Sequence, residues 1–165
     1  MLKAAFIQAR SGRGYAWIGI KWPPNESASD HSQFLHDLQW GRLSERTQQP
    51  QFSRLNKGQR FGDLLWTTGP TKIASDRFVN VLSKSGATGY STFPVTVPAP
   101  SGTASQRYHG LVIFGRPGDD DCFSLRPEEQ HWTFGVRQAL LDNLHDAGAD
   151  DFDIVAPPPW WGAPR

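Results

Sequence analysis

The chain has 165 residues, 38% hydrophobic and 12% aromatic, which is one domain's length with enough apolar material for a core. A single cysteine, Cys122, excludes an internal disulfide and any zinc site built from paired cysteines, and apolar runs such as Leu111 to Phe114 fall far short of the about 20 residues a spanning helix needs. Net charge is +1, but a cut after Gly118 separates a segment with 14 Lys and Arg against 6 Asp and Glu from one with 3 against 10, a division that suggests a polarised surface steering charged partners. The alternative is that the fold interleaves the halves and mixes the charges. Met1 to Arg10 lack a long apolar stretch followed by a small-residue cleavage site, so a cytoplasmic location without membrane association is expected.

In chain order, Leu2 to Ala9 and Tyr15 to Trp22 read as strands joined through Arg10-Ser-Gly-Arg-Gly14 into a hairpin, the second placing Ala16, Ile18, Ile20 and Trp22 on one face. Pro23-Pro24-Asn25 breaks the sheet. Ser29 or Asp30 then caps a short helix with Phe34, Leu35 and Leu38 on one side. From Gly41 to Gly62 the chain reads as a long surface segment anchored by Leu43, Phe52, Leu55 and Phe61. After the short apolar stretch Asp63-Leu-Leu-Trp66, residues 73 to 85 predict a helix with Ala74, Phe78, Val81 and Leu82 on one face, Ser75 as cap and Gly86 as its end. Tyr90 to Val97 is a strand whose Pro94 places it at a sheet edge, and Pro98 to Arg107 is a loop. Tyr108 to Phe114 is a central strand. An acidic turn over Gly115 to Asp121 leads to a short strand at Cys122 to Leu125. A second helix follows, with Thr133 as cap and Val136, Leu140, Leu141, Leu144 and Ala147 on its face, ended by Gly148. A last strand at Asp151 to Val155 precedes the stiff Pro157-Pro-Pro-Trp-Trp161 tail, which is either packed aromatics or a docking segment.

Superposing Gly86-Ala87 on Gly148-Ala149, a shift of 62 residues, places Phe78 on Leu140, Leu82 on Leu144 and Tyr90 on Phe152. The expected fold is therefore α+β: a mixed, mainly antiparallel sheet with two or three helices against it, including a duplicated unit of helix, Gly-Ala turn and strand. One domain spans 1–165, with a hairpin, short helix and irregular segment over 1–60, the duplicated core over 61–156 and the Pro/Trp tail over 157–165.

Nucleophilic catalysis finds no support in the motifs, since five histidines accompany no Gly-x-Ser-x-Gly setting. Asp119, Asp120 and Asp121 with His131 could imitate a metal-dependent nuclease or phosphatase site, but the spacing matches no calcium loop and a solvated acidic turn is the favoured reading. Arg10-Ser-Gly-Arg-Gly14 lacks the Gly-Lys-Ser/Thr ending of a nucleotide loop and reads as a turn. The stretch from Arg42 to Arg60, with Trp40, Phe52 and Phe61 interleaved, could contact nucleic acid or polysaccharide, although its basic residues are spread out and a solvated loop is favoured. Of seven tryptophans, Trp132, Trp160 and Trp161 sit near element ends, where rings could form a sugar platform or a protein hot spot, whereas Trp17, Trp22, Trp40 and Trp66 are assigned to packing.

Phe61-Gly-Asp-Leu-Leu-Trp66, Ile73-Ala-Ser-Asp-Arg-Phe-Val-Asn-Val-Leu82 and Gly86-Ala-Thr-Gly89-Tyr90 leading to Phe93-Pro94-Val95 resemble bacterial immunity proteins of polymorphic toxin systems, specifically the DUF1629-type group. Phe123, Val136 to Leu144 and Gly148 are similar to that family's closing helix and strand, so the resemblance covers roughly residues 61 to 156. It implies a small cytoplasmic protein that binds a cognate toxin and blocks it by protein contact, with no catalysis and no cofactor of its own. An acidic surface of Asp119, Asp120, Asp121, Glu128, Glu129, Asp142, Asp146, Asp150 and Asp151 is then the expected partner-binding site, complementary to the basic cleft of a toxin acting on nucleic acid. A metal-dependent hydrolase and a nucleic-acid or polysaccharide binding module are the alternatives.

Overall fold

The structure is a computed structural model that describes residues 3–22, 24–39, 51–67, 71–98, 107–125, 132–159 and 161. In chain order its elements are β1 (Ala4–Gln8), β2 (Trp17–Lys21), α1 (Ala28–Gln39), β3 (Gln51–Arg54), β4 (Leu64–Thr67), β5 (Lys72–Ser75), α2 (Asp76–Lys84), β6 (Tyr90–Pro94), β7 (Tyr108–Ile113), β8 (Cys122–Phe123), β9 (Phe134–Arg137), α3 (Gln138–Asp146) and β10 (Asp153–Val155). The class is α+β as expected, but the strands form two sheets. One runs β10-β1-β9-β8, all antiparallel; the other runs β3-β2-β4-β5-β7-β6, antiparallel except where β2 meets β4. No helix among the described residues is long and apolar enough to cross a membrane.

The expected first hairpin does not form. β1 pairs with β9 and β10 while β2 pairs with β3 and β4, so Arg10 to Gly14 carries the chain from one sheet to the other. The face assigned to the second strand is correct, because Ala16 and Ile18 are buried and Ile20 and Trp22 pack on the same cluster. The cap of α1 is Ser27, not Ser29 or Asp30. The Ser27 Oγ accepts from Asp30 N at 3.2 Å and Asp30 Oδ2 accepts from Ser27 N at 2.8 Å, a reciprocal box that starts before either expected cap. Phe34 is buried as expected. Part of the expected surface segment is the strand β3, with Phe52 buried on β2; residues 41–50 lie outside the described residues.

Helices α2 and α3 start later than their apolar spacing suggests. Ile73 and Ala74 pair with β4 and β7, and Phe134 to Val136 pair with β1, so the four residues before each helix are strand. Thr133 consequently caps nothing, and Arg137 stands at the N-cap of α3 without a side-chain bond. Ser75 does cap α2, accepting from Phe78 N at 3.1 Å. Gly86 and Gly148 end the helices at φ 62° and 64°, a conformation in which a Cβ is strained.

The two units coincide at an offset of 62: β5 with β9, α2 with α3, residue for residue at their bounds. Their sheets also correspond, since β4-β5-β7-β6 matches β8-β9-β1-β10. Leu64 pairs with Ala74 as Cys122 pairs with Val136. The second unit thus takes its inner strand from the start of the chain. Between the units lies the main core, where Phe78 and Leu82 of α2, Leu140 and Leu144 of α3, and Ile7, Leu64, Phe134 and Val136 of the strands are buried. Each such side chain contributes about 1.5–3 kcal/mol. A second cluster fills the other face of the six-stranded sheet under Phe34 of α1, and a third joins Phe6, Phe123 and Leu125 to Trp161. The tail is therefore packed aromatics through Trp161, whose ring lies 4.9 Å from Phe6 and 5.6 Å from Phe123.

Candidate functional site

The acidic residues divide by what holds them. Asp121 opens β8 and is locked into the fold: its Oδ2 accepts from Thr88 N at 3.1 Å, its Oδ1 lies 3.5 Å from Arg137 Nε, and its backbone oxygen accepts from Arg137 N at 2.9 Å. Asp120 folds back to accept from Arg116 N at 2.8 Å, so its carboxylate and that of Asp121 face different partners. Among the described residues no three His, Cys, Asp or Glu side chains group closely enough to hold a metal ion. Asp151 is clasped as well, by Tyr15 Oη at 2.8 Å, Arg10 Nη1 at 3.1 Å and Arg60 Nε at 3.5 Å. These three stitch loops together.

Asp119, Asp142, Asp146 and Asp150 remain exposed. Asp142 accepts from Gln138 Nε2 at 2.9 Å and Asp150 lies 3.4 Å from His145 Nδ1. Asp142 and Asp146 are four residues apart on α3, hence on one face, and Asp150 lies beyond the Gly148 turn that ends the helix. No Lys or Arg lies on α3. The corresponding positions in the first unit are Asn80, Lys84 and Thr88, so one copy alone carries the carboxylates. α2 has Asp76 in its first turn and Lys84 in its last, matching the helix dipole; α3 has no acid in its first turn and Asp146 in its last, opposing it. Glu128, Glu129 and His131 lie outside the described residues.

A buried polar centre was not anticipated. Asp63 is 0% exposed and sits before β4 as Asp121 sits before β8. Its carboxylate accepts from Ser75 Oγ, from Arg77 Nε at 3.1 Å and Nη2 at 2.7 Å, and from Asp151 N at 3.0 Å. Tyr108 Oη adds a bond to Gly62 O at 3.1 Å. Nearby, Asp76 pairs with His109 Nε2 at 2.8 Å, which holds the Asp76 carboxyl below its usual range. The carboxylate of Asp63 and the hydroxyl of Ser75 are engaged, and Asp63 joins the two units by accepting from Asp151 N and donating its own N–H to Asp151 O at 3.0 Å, so the cluster is a structural clasp. An acid flanking an apolar strand was the available signal.

Trp66 packs against the main core as expected, whereas Trp17 is exposed instead of packed. Trp17 is 40% exposed and pairs across strands with Trp66, their rings 6.4 Å apart; Trp66 stacks on Trp132 at 4.5 Å, and Trp132 is 46% exposed. Trp22 does pack, with its ring 5.6 Å from that of Phe34; Trp40 and Trp160 lie outside the described residues. Compared with known proteins, the chain matches no protein-family model and no curated protein.

Proposed function

We propose that the protein is an immunity protein that binds a cognate toxin in the cytoplasm and neutralises it by protein contact, with the acidic face of α3 as its docking surface. The observation that supports this reading is the pair Asp142 and Asp146 on one face of α3, present in one copy of the repeated unit and replaced by Asn80 and Lys84 in the other. Asp146 opposes the helix dipole at a cost of about 0.3–1 kcal/mol, and a residue kept against local stability marks a surface with another use. Carboxylates free of neighbouring lysines or arginines on their own helix project a negative field, which accelerates encounter with a basic cleft.

The test pairs this chain with the polypeptide encoded beside it. Asp142→Lys combined with Asp146→Lys should slow association at least about tenfold at low ionic strength and little at high. The double variant touches neither Asp121 nor Asp151, whose loss would disturb the fold. An unchanged association rate would remove α3 as the docking surface, and the absence of any complex would remove the immunity reading.

A further inference from the structure

Trp17 on β2, Trp66 on β4 and Trp132 ahead of β9 are remote in sequence and form one run of rings on the surface. Leu55, 54% exposed, lies against Gly19 at its flank, where a Cβ would meet Leu55 Cδ2 at 2.6 Å. Five large hydrophobic side chains are exposed among the described residues, and three of them, Trp17, Leu55 and Trp132, belong to this one surface. The run is held in place: Trp132 Nε1 donates to Thr67 O at 3.2 Å, Trp17 N donates to Asn56 Oδ1 at 2.9 Å, and Leu55 N donates to Trp17 O at 2.8 Å. Those last two bonds bring the basic segment 54–60 beside the tryptophans.

β2, β3, β4, β5 and residues 55–60 carry no Asp or Glu; of their cations the Lys72 amine is buried and Arg60 pairs with Asp151, which leaves Lys21, Arg54 and Lys57. Lys21 shares a face of β2 with Trp17 by alternation, and Lys21 and Lys57 are exposed. A sugar would use the rings without the cations, and an apolar protein patch would leave the cations unpaired. A chain of flat bases joined by phosphates uses both.

We propose that the Trp17, Trp66 and Trp132 ridge binds single-stranded nucleic acid, with bases stacking on the exposed indoles and phosphates meeting Lys21 and Lys57. This surface is separate from the α3 face, so its failure would leave the immunity reading untouched.

The experiment is a titration of the full chain's tryptophan fluorescence with oligothymidylate and oligouridylate of about ten nucleotides. Saturable quenching in the micromolar range at about 50 mM salt, weakened at least tenfold at about 200 mM, is the expected result. Trp132→Ala should weaken binding about tenfold. Lys21→Glu with Lys57→Glu, both at exposed positions and checked for an unchanged melting temperature, should reduce affinity and flatten the salt dependence. A preference for one oligonucleotide supports the site and identifies its source as DNA or RNA. No quenching, equal binding by the lysine variant, or equally tight binding of polyglutamate would each overturn the proposal.

Discussion

Asp63 and Asp121 are equivalent residues in two copies of one unit, each opening a hairpin, each accepting from the backbone of the other unit's turn, and each paired with an arginine. Asp63 accepts from Asp151 N at 3.0 Å and holds Arg77; Asp121 accepts from Thr88 N at 3.1 Å and holds Arg137. Each also closes its hairpin through its backbone oxygen, from Ser75 N at 2.8 Å and Arg137 N at 2.9 Å. Every copy thus clasps the other.

The two clasps should differ in strength because Asp63 is fully buried and Asp121 is half-exposed. Asp63→Asn should cost about 2–3 kcal/mol, since the buried donors Ser75 Oγ and Asp151 N lose a charged acceptor while Arg77 is half exposed and can turn to solvent. Asp121→Asn should cost about 1 kcal/mol. Urea midpoints of the two variants measure this, and equal losses would contradict the burial argument.

Lys72 lies over the Phe134 ring, 5.8 Å from its centroid, and burial lowers its pKa from 10.5 to about 8. Below pH 8 both states hold the proton and the folded state carries a poorly solvated cation. Between pH 8 and 10.5 the unfolded chain binds more protons, so stability should rise with pH across that window. Lys72→Met should stabilise the protein at pH 7 by about 1–3 kcal/mol and abolish the alkaline rise, as read from urea unfolding at pH 7 and 9.

Burial, with Asp121 and Asp120 nearby, pushes the Cys122 thiol up to about 12. A thiol reagent at neutral pH should therefore label Cys122 only at the rate at which the protein opens. Labelling faster than unfolding, followed by absorbance in native buffer, would show that β8 detaches from the core by itself.

Trp161 closes the third cluster, and Trp161→Ala should lower stability by about 2 kcal/mol through lost contact with Phe6 and Phe123. Thermal unfolding of this variant checks whether the tail is part of the folded unit.

The periodic parts of the fold were legible in the sequence. Phe78 and Leu82, Leu140 and Leu144, Ser75 and the two helix-ending glycines carry local signals of helix face, cap and stop. β5 and β9 were hidden because Ala74 and Phe78, or Val136 and Leu140, stand four apart, so strand residues extend the helical period backwards. β1 and β2 resembled a hairpin because a glycine-rich turn looks alike whether the next strand joins the same sheet or another. The spacing of Asp142 and Asp146 was readable along α3, but the ties of Asp121 to Thr88 and of Asp151 to Arg10 connect segments far apart in the chain. Trp17 and Trp66 both have apolar neighbours in sequence, yet only Trp66 is covered by the core, because exposure depends on which sheet face is packed.

The exchange of β1 imposes an order on folding. The unit from β4 to β7 is contiguous and its strands can pair as soon as they are made. β1 is made before β2 to β8, but both its neighbours, β9 and β10, follow them. Phe6 and Ile7 therefore stay without their strand partners until β9 and β10 are made, and the four-stranded sheet is the high-contact-order step on which a nascent chain is most vulnerable to aggregation.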